Sequence, residues 1–417
     1  MHNALLLLFL LFCASIKAQD RLIESITFEG LKKSKEQYLK KLLSFDNNSP
    51  IDSLILAEDM IRLIREPAIS HAYYSLEENG KRLIIHVEEN KTLIPAVDLW
   101  QTLENQLGYH LGVTDHNFIG KGYTVGAFYR RNNFAGFGLI LENNNFISAK
   151  HELKFIAQQS ETLEPIQQDQ LEANYRYRIQ SIETSFGKEL NLKSKLYVGI
   201  GWFGERYAFS HGERLMGAPE KFNTTKLIGK VGYDYDALVP YYYFNSGWKN
   251  QLIFAHVWGK TITNNNTFYS IENQTTYFKR IKSMGNLALR VKLGYAKNID
   301  TPFPPFAIDN NRNVRGSGNL VQRGSALWVI NSEYRQSLFE RKWFAMQANL
   351  FVDVAGIRPS GYALKDLFKN KNAHAYSGIG IRFIHKYIYN AVFRIDYGFS
   401  LGKVDQQGIV FGIGQYF

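Results

Sequence analysis

The residues best suited to charge-based interactions lie in one Asn- and Gly-rich tract and in two strand-like segments that follow it. The tract, residues 309–318, carries Arg315, and the segments carry Glu333 and Asp353. A guanidinium group can form two parallel hydrogen bonds to one carboxylate, so Arg315 can pair with either acid. Such a pair would hold a loop in place rather than catalyse a reaction. The composition of the tract is also typical of a flexible surface loop.

No arrangement typical of an enzyme accompanies this tract. The sequence has no Gly-x-Ser-x-Gly elbow, and the glycine pairs at 199–201, 378–380 and 412–414 are not followed by a helix, as a phosphate loop would be. His374 and His385 lack metal-ligand spacing. We therefore predict no enzymatic activity, no cofactor and no metal site.

Each segment that positions one of the two acids has an apolar face and a mostly polar face. In the segment around Asp353, apolar residues alternate with Asn349, Phe351 and Asp353. In the segment around Glu333, apolar residues alternate in the same way with Glu333 and Arg335. Successive side chains of a strand point to opposite faces. Both carboxylates are therefore predicted to face the same interior as the arginine tract.

A long series of such strands predicts a membrane β-barrel. The helical period disappears after Pro95, and segments of about ten residues, often with aromatic ends, continue to Phe417. Roughly 16 antiparallel strands fit between Asn105 and Phe417, with the weakest boundaries at 179–193. A soluble β-sandwich also alternates, but the segment length and the aromatic ends favour lipid outside and a wet lumen inside. The prediction is a mainly β fold whose residues 95–417 form a 16-stranded transmembrane antiparallel barrel.

The arginine tract lies in the longest connection of this barrel. Residues 299–323 form the longest stretch without a predicted strand, and they lie between the eleventh and twelfth predicted strands. If the first strand begins in the periplasm, a connection from an odd to an even strand is extracellular. We expect this outer loop to fold inward, where Arg315 meets Asp353 or Glu333.

The chain begins with features of an exported protein. Residues 1–18 are predicted to be a cleaved signal peptide, because the apolar run Ala4 to Cys13 is too short to span a bilayer and small residues follow it. Cys13 is the only cysteine, so a mature chain without it has no disulfide and no thiol chemistry.

Residues 20–90 are predicted to form one small α/β domain of order β-α-α-β-β. Its elements are a strand at 22–28, a helix from an N-cap at Ser34 to Leu43, an amphipathic helix from Ile51 to Ile64, and strands at 70–77 and 82–88 joined by an Asn79-Gly80 turn.

Six short motifs, in this order, resemble one family. They are Ile26-Thr27-Phe28-Glu29-Gly30-Leu31, Asn117-Phe118-Ile119-Gly120-Lys121-Gly122, Val314-Arg315-Gly316, Glu333-Tyr334-Arg335, Phe351-Val352-Asp353-Val354-Ala355-Gly356 and Tyr416-Phe417. Together they resemble the barrel-plus-POTRA superfamily of outer-membrane assembly factors and translocators, which includes the BamA/TamA-like proteins and the two-partner-secretion transporters. The chain departs from the family pattern at Ser317, where an aromatic is usual, and at Gly356, which comes one place late.

The resemblance implies a mechanism without an active site. Residues 20–90 would be one periplasmic POTRA domain that receives client chains, and the arginine loop would brace the lumen. The first and last strands, placed near 105–114 and 409–417, would meet at a weak seam. Tyr416 and Phe417 would form the C-terminal signal by which barrels are recognised for assembly.

The leading hypothesis is an assembly factor that inserts other proteins into the outer membrane of a Gram-negative-type cell. The alternatives are a polypeptide translocator and a passive pore, and an outer-membrane hydrolase is the weakest. The expected partners are unfolded outer-membrane proteins or a secreted polypeptide, outer-membrane lipid, and periplasmic or lipoprotein accessory subunits. The formal charge of +11 is scattered rather than clustered, so nucleic acid is not an expected partner.

Overall fold

A computed structural model describes residues 22–417 except 79–80, 103, 169–170, 215, 242, 260–266, 298–303, 319–320 and 403–405. The predicted signal peptide and the Asn79-Gly80 turn lie outside the described residues. The chain divides into two compact units, residues 1–89 and 90–417.

The first unit is built on a three-stranded sheet. Its strands are Ser25–Glu29, Ile69–Glu77 and Arg82–Glu89, and the last of these lies in the centre, parallel to the first and antiparallel to the second. Leu22–Ile23 pairs separately with Ser49–Pro50, so the strand predicted at 22–28 is interrupted.

Two helices accompany this sheet. Helix α2, Ser53–Arg65, begins where the Asp52 side chain accepts hydrogen bonds from the backbone N–H groups of Leu54 and Ile55. Helix α1 is shorter than predicted, spanning Glu36–Lys40 with Lys35 at its N-cap. The prediction of Ser34 as the N-cap was wrong, because the helix begins one residue later, after Lys35, with no side-chain cap. The Ser34 backbone N–H donates to the Glu89 carboxylate at 3.0 Å, which ties the start of the helix to the sheet.

The second unit is a closed antiparallel barrel of 16 spanning strands, as predicted. No helix among the described residues is long and apolar enough to cross a membrane. Barrel strands 1 to 16 are Leu93–Gln101, Leu107–Phe118, Tyr123–Asn132, Phe134–Asn143, His151–Gln168, Leu171–Asn191, Ser194–Gly212, Lys221–Asp236, Phe244–Gly259, Phe268–Ile281, Gly285–Ala296, Ala326–Glu340, Phe344–Arg358, Ala373–His385, Val392–Ser400 and Gln407–Ile413. A short strand, Val239–Tyr241, pairs with the start of strand 9.

The start of the barrel corrects the prediction that its first strand begins near Asn105. Barrel strand 1 begins at Leu93, and Asn105 lies in the following turn with a φ of 58°. Pro95 obscured this strand in the sequence, because proline has no N–H for a sheet ladder and is confined to edges or strand starts. Strand 1 pairs with strand 16 only at Asp98 and Leu99, so Pro95 lies in a part of the strand that has a ladder partner on one side alone. We call the rim at which strand 1 begins the proximal rim and the opposite one the distal rim.

Candidate functional site

The connection between strands 11 and 12 carries the arginine loop, defined as residues 309–318. Its base is a two-stranded sheet of Phe306–Ile308 and Gln322–Gly324, which corrects the expectation of no strand between 299 and 323. The Asp309 side chain accepts hydrogen bonds from the backbone N–H groups of Asn311 and Arg312 at 2.9 and 2.8 Å. Asp and Asn favour turns of this kind, because their side chains can hydrogen-bond to the backbone a few residues further along the chain.

Arg315 is held by two acids of neighbouring strands. Its Nε and Nη2 donate to the two carboxylate oxygens of Asp353 at 2.8 and 3.0 Å, and its backbone N–H also donates to Asp353 at 2.9 Å. Its Nη1 donates to Glu333. The side chains of all three residues have no solvent exposure. The arginine loop is therefore pinned inside the lumen by buried, charge-assisted hydrogen bonds.

Two further charged residues extend this cluster to strands 14 and 15. Arg382 donates from Nη1 and Nη2 to the two oxygens of Asp396 at 2.8 and 3.0 Å, and Nη2 also lies 3.4 Å from Glu333. Arg335 donates to Glu333 at 2.7 Å. Three arginines, Arg315, Arg335 and Arg382, thus surround the carboxylates of Glu333, Asp353 and Asp396. Such a cluster is sensitive to loss of one member, because the remaining charge stays buried without its partner.

Two aromatic rings pack against the Arg315 guanidinium. The centroid of the Phe351 ring lies 3.8 Å from its central carbon, and that of Tyr416 lies 4.4 Å away. The Tyr416 hydroxyl donates to the Asn310 carbonyl at 3.2 Å, within the arginine loop itself. Cation–π contacts gain strength when desolvated, as these are.

The segment 414–417 leaves the last strand and enters the lumen. Strand 16 ends at Ile413, and Gly414 has a φ of 96°. Arg335 donates from Nη2 to the Phe417 carbonyl at 3.3 Å, and Arg290 lies 5.1 Å from the Phe417 ring centroid. Tyr416 and Phe417 thus contact the arginine cluster, and their role as an assembly signal stays a prediction.

The backbone of the arginine loop packs closely against strand 15. Gly316 has a φ of 99°, and a Cβ there would lie 2.7 Å from the Gly398 carbonyl carbon and 2.9 Å from the Phe399 nitrogen. Val314 is fully buried in an apolar cluster with Leu327 and Val329. In the Val-Arg-Gly motif, Val314 therefore fills the apolar cluster, Arg315 binds the acids, and Gly316 permits close approach of the two backbones.

We expect Gly316→Ala to weaken docking of the loop more than backbone strain alone would. The matched control is Gly217→Ala, because Gly217 has a φ of 79° and no atom within 4 Å of its Cβ position. The control should cost about 1 kcal/mol from strain, and Gly316→Ala about 1–3 kcal/mol more from the backbone clash. Urea unfolding in detergent, followed by gel mobility without heating, compares the two. Equal midpoints would contradict the close approach.

The seam between strands 1 and 16 is the weakest pairing of the barrel. It contains two residue pairs, Leu99 with Phe411 and Asp98 with Gly412, against nine between strands 1 and 2 and seven between strands 15 and 16. The inward turn at Gly414 removes later residues of the chain from the seam. The prediction of 105–114 as the seam partner was wrong, since strand 1 precedes it.

Several residues of this site were not singled out from the sequence. Arg382, Asp396 and Arg290 contact the cluster through strands 14, 15 and 11. Strand alternation could have predicted that Asp396 faces the lumen, because it shares a strand face with Arg394 and Gly398. No cluster of His, Cys, Asp or Glu that could hold a metal occurs among the described residues.

The fold and the site together define an outer-membrane β-barrel with an arginine-anchored loop inside its lumen. The Omp85 superfamily domain matches residues 96–417, and the chain belongs to this superfamily. Among curated protein sequences none shows significant similarity to it.

Solved structures share this fold at low identity. BamA from Haemophilus ducreyi lacking POTRA domains 1-3 is 15% identical with a TM-score of 0.59, over 95% of this chain and 84% of that one. CdiB from Acinetobacter baumannii is 13% identical with a TM-score of 0.63, over 95% and 74%. CdiB from Escherichia coli is 10% identical with a TM-score of 0.64, over 94% and 77%.

Proposed function

We propose that this protein inserts client β-barrel proteins into the outer membrane, using the seam between strands 1 and 16 as the entry point. The two-pair seam carries this proposal. A strand with unpaired backbone groups can take an added strand from another chain, and fewer residue pairs have to separate at this seam than at the pairings on either side of it.

The arginine cluster supports this function by holding the lumen wall while the seam opens. Arg315 connects strands 12, 13 and 15 through Glu333, Asp353 and Asp396. These strands lie on one side of the seam, and strand 1 lies on the other. A wall stiffened by buried ion pairs would let strand 1 move without loss of the barrel.

Residues 20–90 are proposed to form one periplasmic POTRA domain that receives clients, which would put the proximal rim of the barrel in the periplasm. Its strand Ile69–Glu77 is an edge strand, since it pairs only with Arg82–Glu89 within the three-stranded sheet. An edge of this kind binds extended chains by β-augmentation.

Photocrosslinking from outward-facing positions tests the entry point. Leu93 on strand 1 and Ile409 on strand 16 are each 61% exposed, and Leu350 on strand 13 is a matched control at 62%. With a photoreactive residue at each position in growing cells, we expect folding barrel proteins to be captured at the two seam positions and not at Leu350. Equal capture at all three would contradict the proposal.

Reconstitution separates insertion from the alternatives. Liposomes containing the full chain should accelerate insertion of a denatured client barrel over empty liposomes. A translocator would instead show conductance that a secreted polypeptide blocks, and a passive pore would pass solutes without any client. Either result in the absence of faster insertion would replace the proposed function.

A further inference from the structure

Barrel strands 5 to 8 are too long to lie within a bilayer. They contain 18, 21, 19 and 16 residues, whereas a tilted strand crosses the hydrocarbon core with about 9–11. The outward side chains show where the core ends. On strand 9, outward Trp248 and Trp258 are 258 − 248 = 10 residues apart, which spans about 25 Å for a tilted strand.

The distal end of this band is followed at once by basic side chains. Trp202 on strand 7 is in register with Leu227, which is itself in register with Trp258. Four residues beyond Trp202, outward Arg206 stands in register with Arg178 of strand 6. The next outward positions of strands 6 and 8 are held by Arg176 and Lys221. We call Arg176, Arg178, Arg206 and Lys221 the distal basic patch.

The patch adjoins a recess in the outer wall of the barrel. The recess has a volume of about 650 Å³, and its lining includes Arg178, Gln180, Trp202, Arg206 and Asn223. The Trp202 indole lies at the end of the recess nearest the apolar band, and the guanidinium groups of Arg178 and Arg206 lie farther toward the distal rim. This arrangement fits a ligand with an apolar lower part and an anionic upper part.

The protein itself neutralises only part of this charge. Glu161 pairs with both Arg176 and Arg178, the latter at 2.7 Å. Arg206 and Lys221 form no ion pair with any residue that the structure describes. The recess lining also includes Glu205, which pairs with Lys226. The four cations of the patch and Glu161 leave a net charge of 4 − 1 = +3. Like charges directly opposite on neighbouring strands, as Arg178 and Arg206 are, destabilise a sheet, and an anion between them would relieve this repulsion.

We propose that the distal basic patch binds the phosphate groups of an anionic glycolipid in the leaflet that surrounds the distal rim. The patch faces lipid rather than the lumen, and Arg206 lies four residues beyond Trp202 on strand 7, about 10 Å along the membrane normal, at headgroup depth. Arginine binds phosphate through two parallel hydrogen bonds. With the proximal rim in the periplasm, as proposed above, this leaflet is the outer one.

Native mass spectrometry of the full chain in detergent, titrated with bisphosphorylated lipid A, tests this site. The wild type should retain one tightly bound lipid, and the Arg178→Gln/Arg206→Gln variant should bind it about 10-fold more weakly for each arginine removed. Lys188→Gln is the matched control, because Lys188 is exposed and lies on the same strand as Arg178, 188 − 178 = 10 residues toward the proximal rim. It should bind like the wild type.

Two further arms identify the group that is bound. Lipid A without phosphates should bind wild type and double variant equally weakly, and millimolar inorganic phosphate should not displace the bisphosphorylated lipid from the wild type. Equal binding by the double variant, equal loss in Lys188→Gln, or displacement by free phosphate would overturn the proposal. Heat-dependent gel mobility confirms folding of each variant, and a normal client-insertion rate would show that the lipid site and the seam act separately.

Discussion

Replacing Arg315 by alanine is expected to release the arginine loop from the lumen and to slow client insertion. The change leaves the buried Asp353 carboxylate without the guanidinium that binds both of its oxygens, and it removes one of the three arginines around Glu333. Removing one member of a buried ion pair costs about 3–5 kcal/mol. The docking equilibrium of the loop should therefore shift by about 100-fold or more.

Thiol labelling measures this shift directly. Cys13 is the only cysteine of the sequence, and Ser317 beside the arginine is 1% exposed, so Ser317→Cys should react with a maleimide only when the loop undocks. We expect Arg315→Ala to raise the labelling rate by about 100-fold, because reaction follows the open population. Arg312→Ala is the matched control, since Arg312 is an exposed arginine of the same loop. Unchanged labelling in Arg315→Ala would show that the cluster does not hold the loop.

A disulfide across the seam is expected to abolish client insertion. Leu99 and Phe411 are directly opposite in the pairing of strands 1 and 16, and cross-strand partners have Cα atoms close enough for a disulfide. Oxidised Leu99→Cys/Phe411→Cys cannot separate its strands, so insertion should fall to the level of empty liposomes. Reduction should restore it.

The control disulfide lies one strand pair away. Tyr397 and Ile409 are directly opposite in strands 15 and 16, and both side chains are exposed on the outer face. The oxidised Tyr397→Cys/Ile409→Cys variant should insert clients at the wild-type rate, because that pairing need not open. Full activity of the oxidised seam variant would exclude entry at the seam, and equal inhibition by the control would indicate a general effect of cross-linking.

The prediction from sequence was strongest where a short-range period decided the outcome. The alternation that put Glu333 and Asp353 on one face depends only on successive side chains pointing to opposite sides of a strand. The same period, continued to Phe417, predicted 16 strands. It was weakest at strand 1, where Pro95 disguised a strand that pairs with strand 16 at only two residues, and at helix α1, which begins after Lys35 rather than after Ser34.

The contacts that complete the site join residues far apart in the chain. Arg382 approaches Glu333 from 49 positions away, and Tyr416 reaches Asn310 from 106 positions away. Such contacts depend on the register of every intervening strand, since a shift of one residue would turn each side chain to the other face. The sequence therefore supplied the residues of the cluster without showing that Asp396 and Arg382 belong to it.

The amino-acid sequence by itself determined an outer-membrane barrel, an arginine loop in its longest connection and two acids facing the lumen, because these follow from composition, spacing and the period of two. Only the tertiary structure decided that the seam has two residue pairs and that Tyr416 lies against Arg315. Both follow from barrel closure and from the turn at Gly414, whose φ of 96° sends residues 414–417 inward. Closure joins the two ends of the barrel, which no local pattern in the sequence specifies.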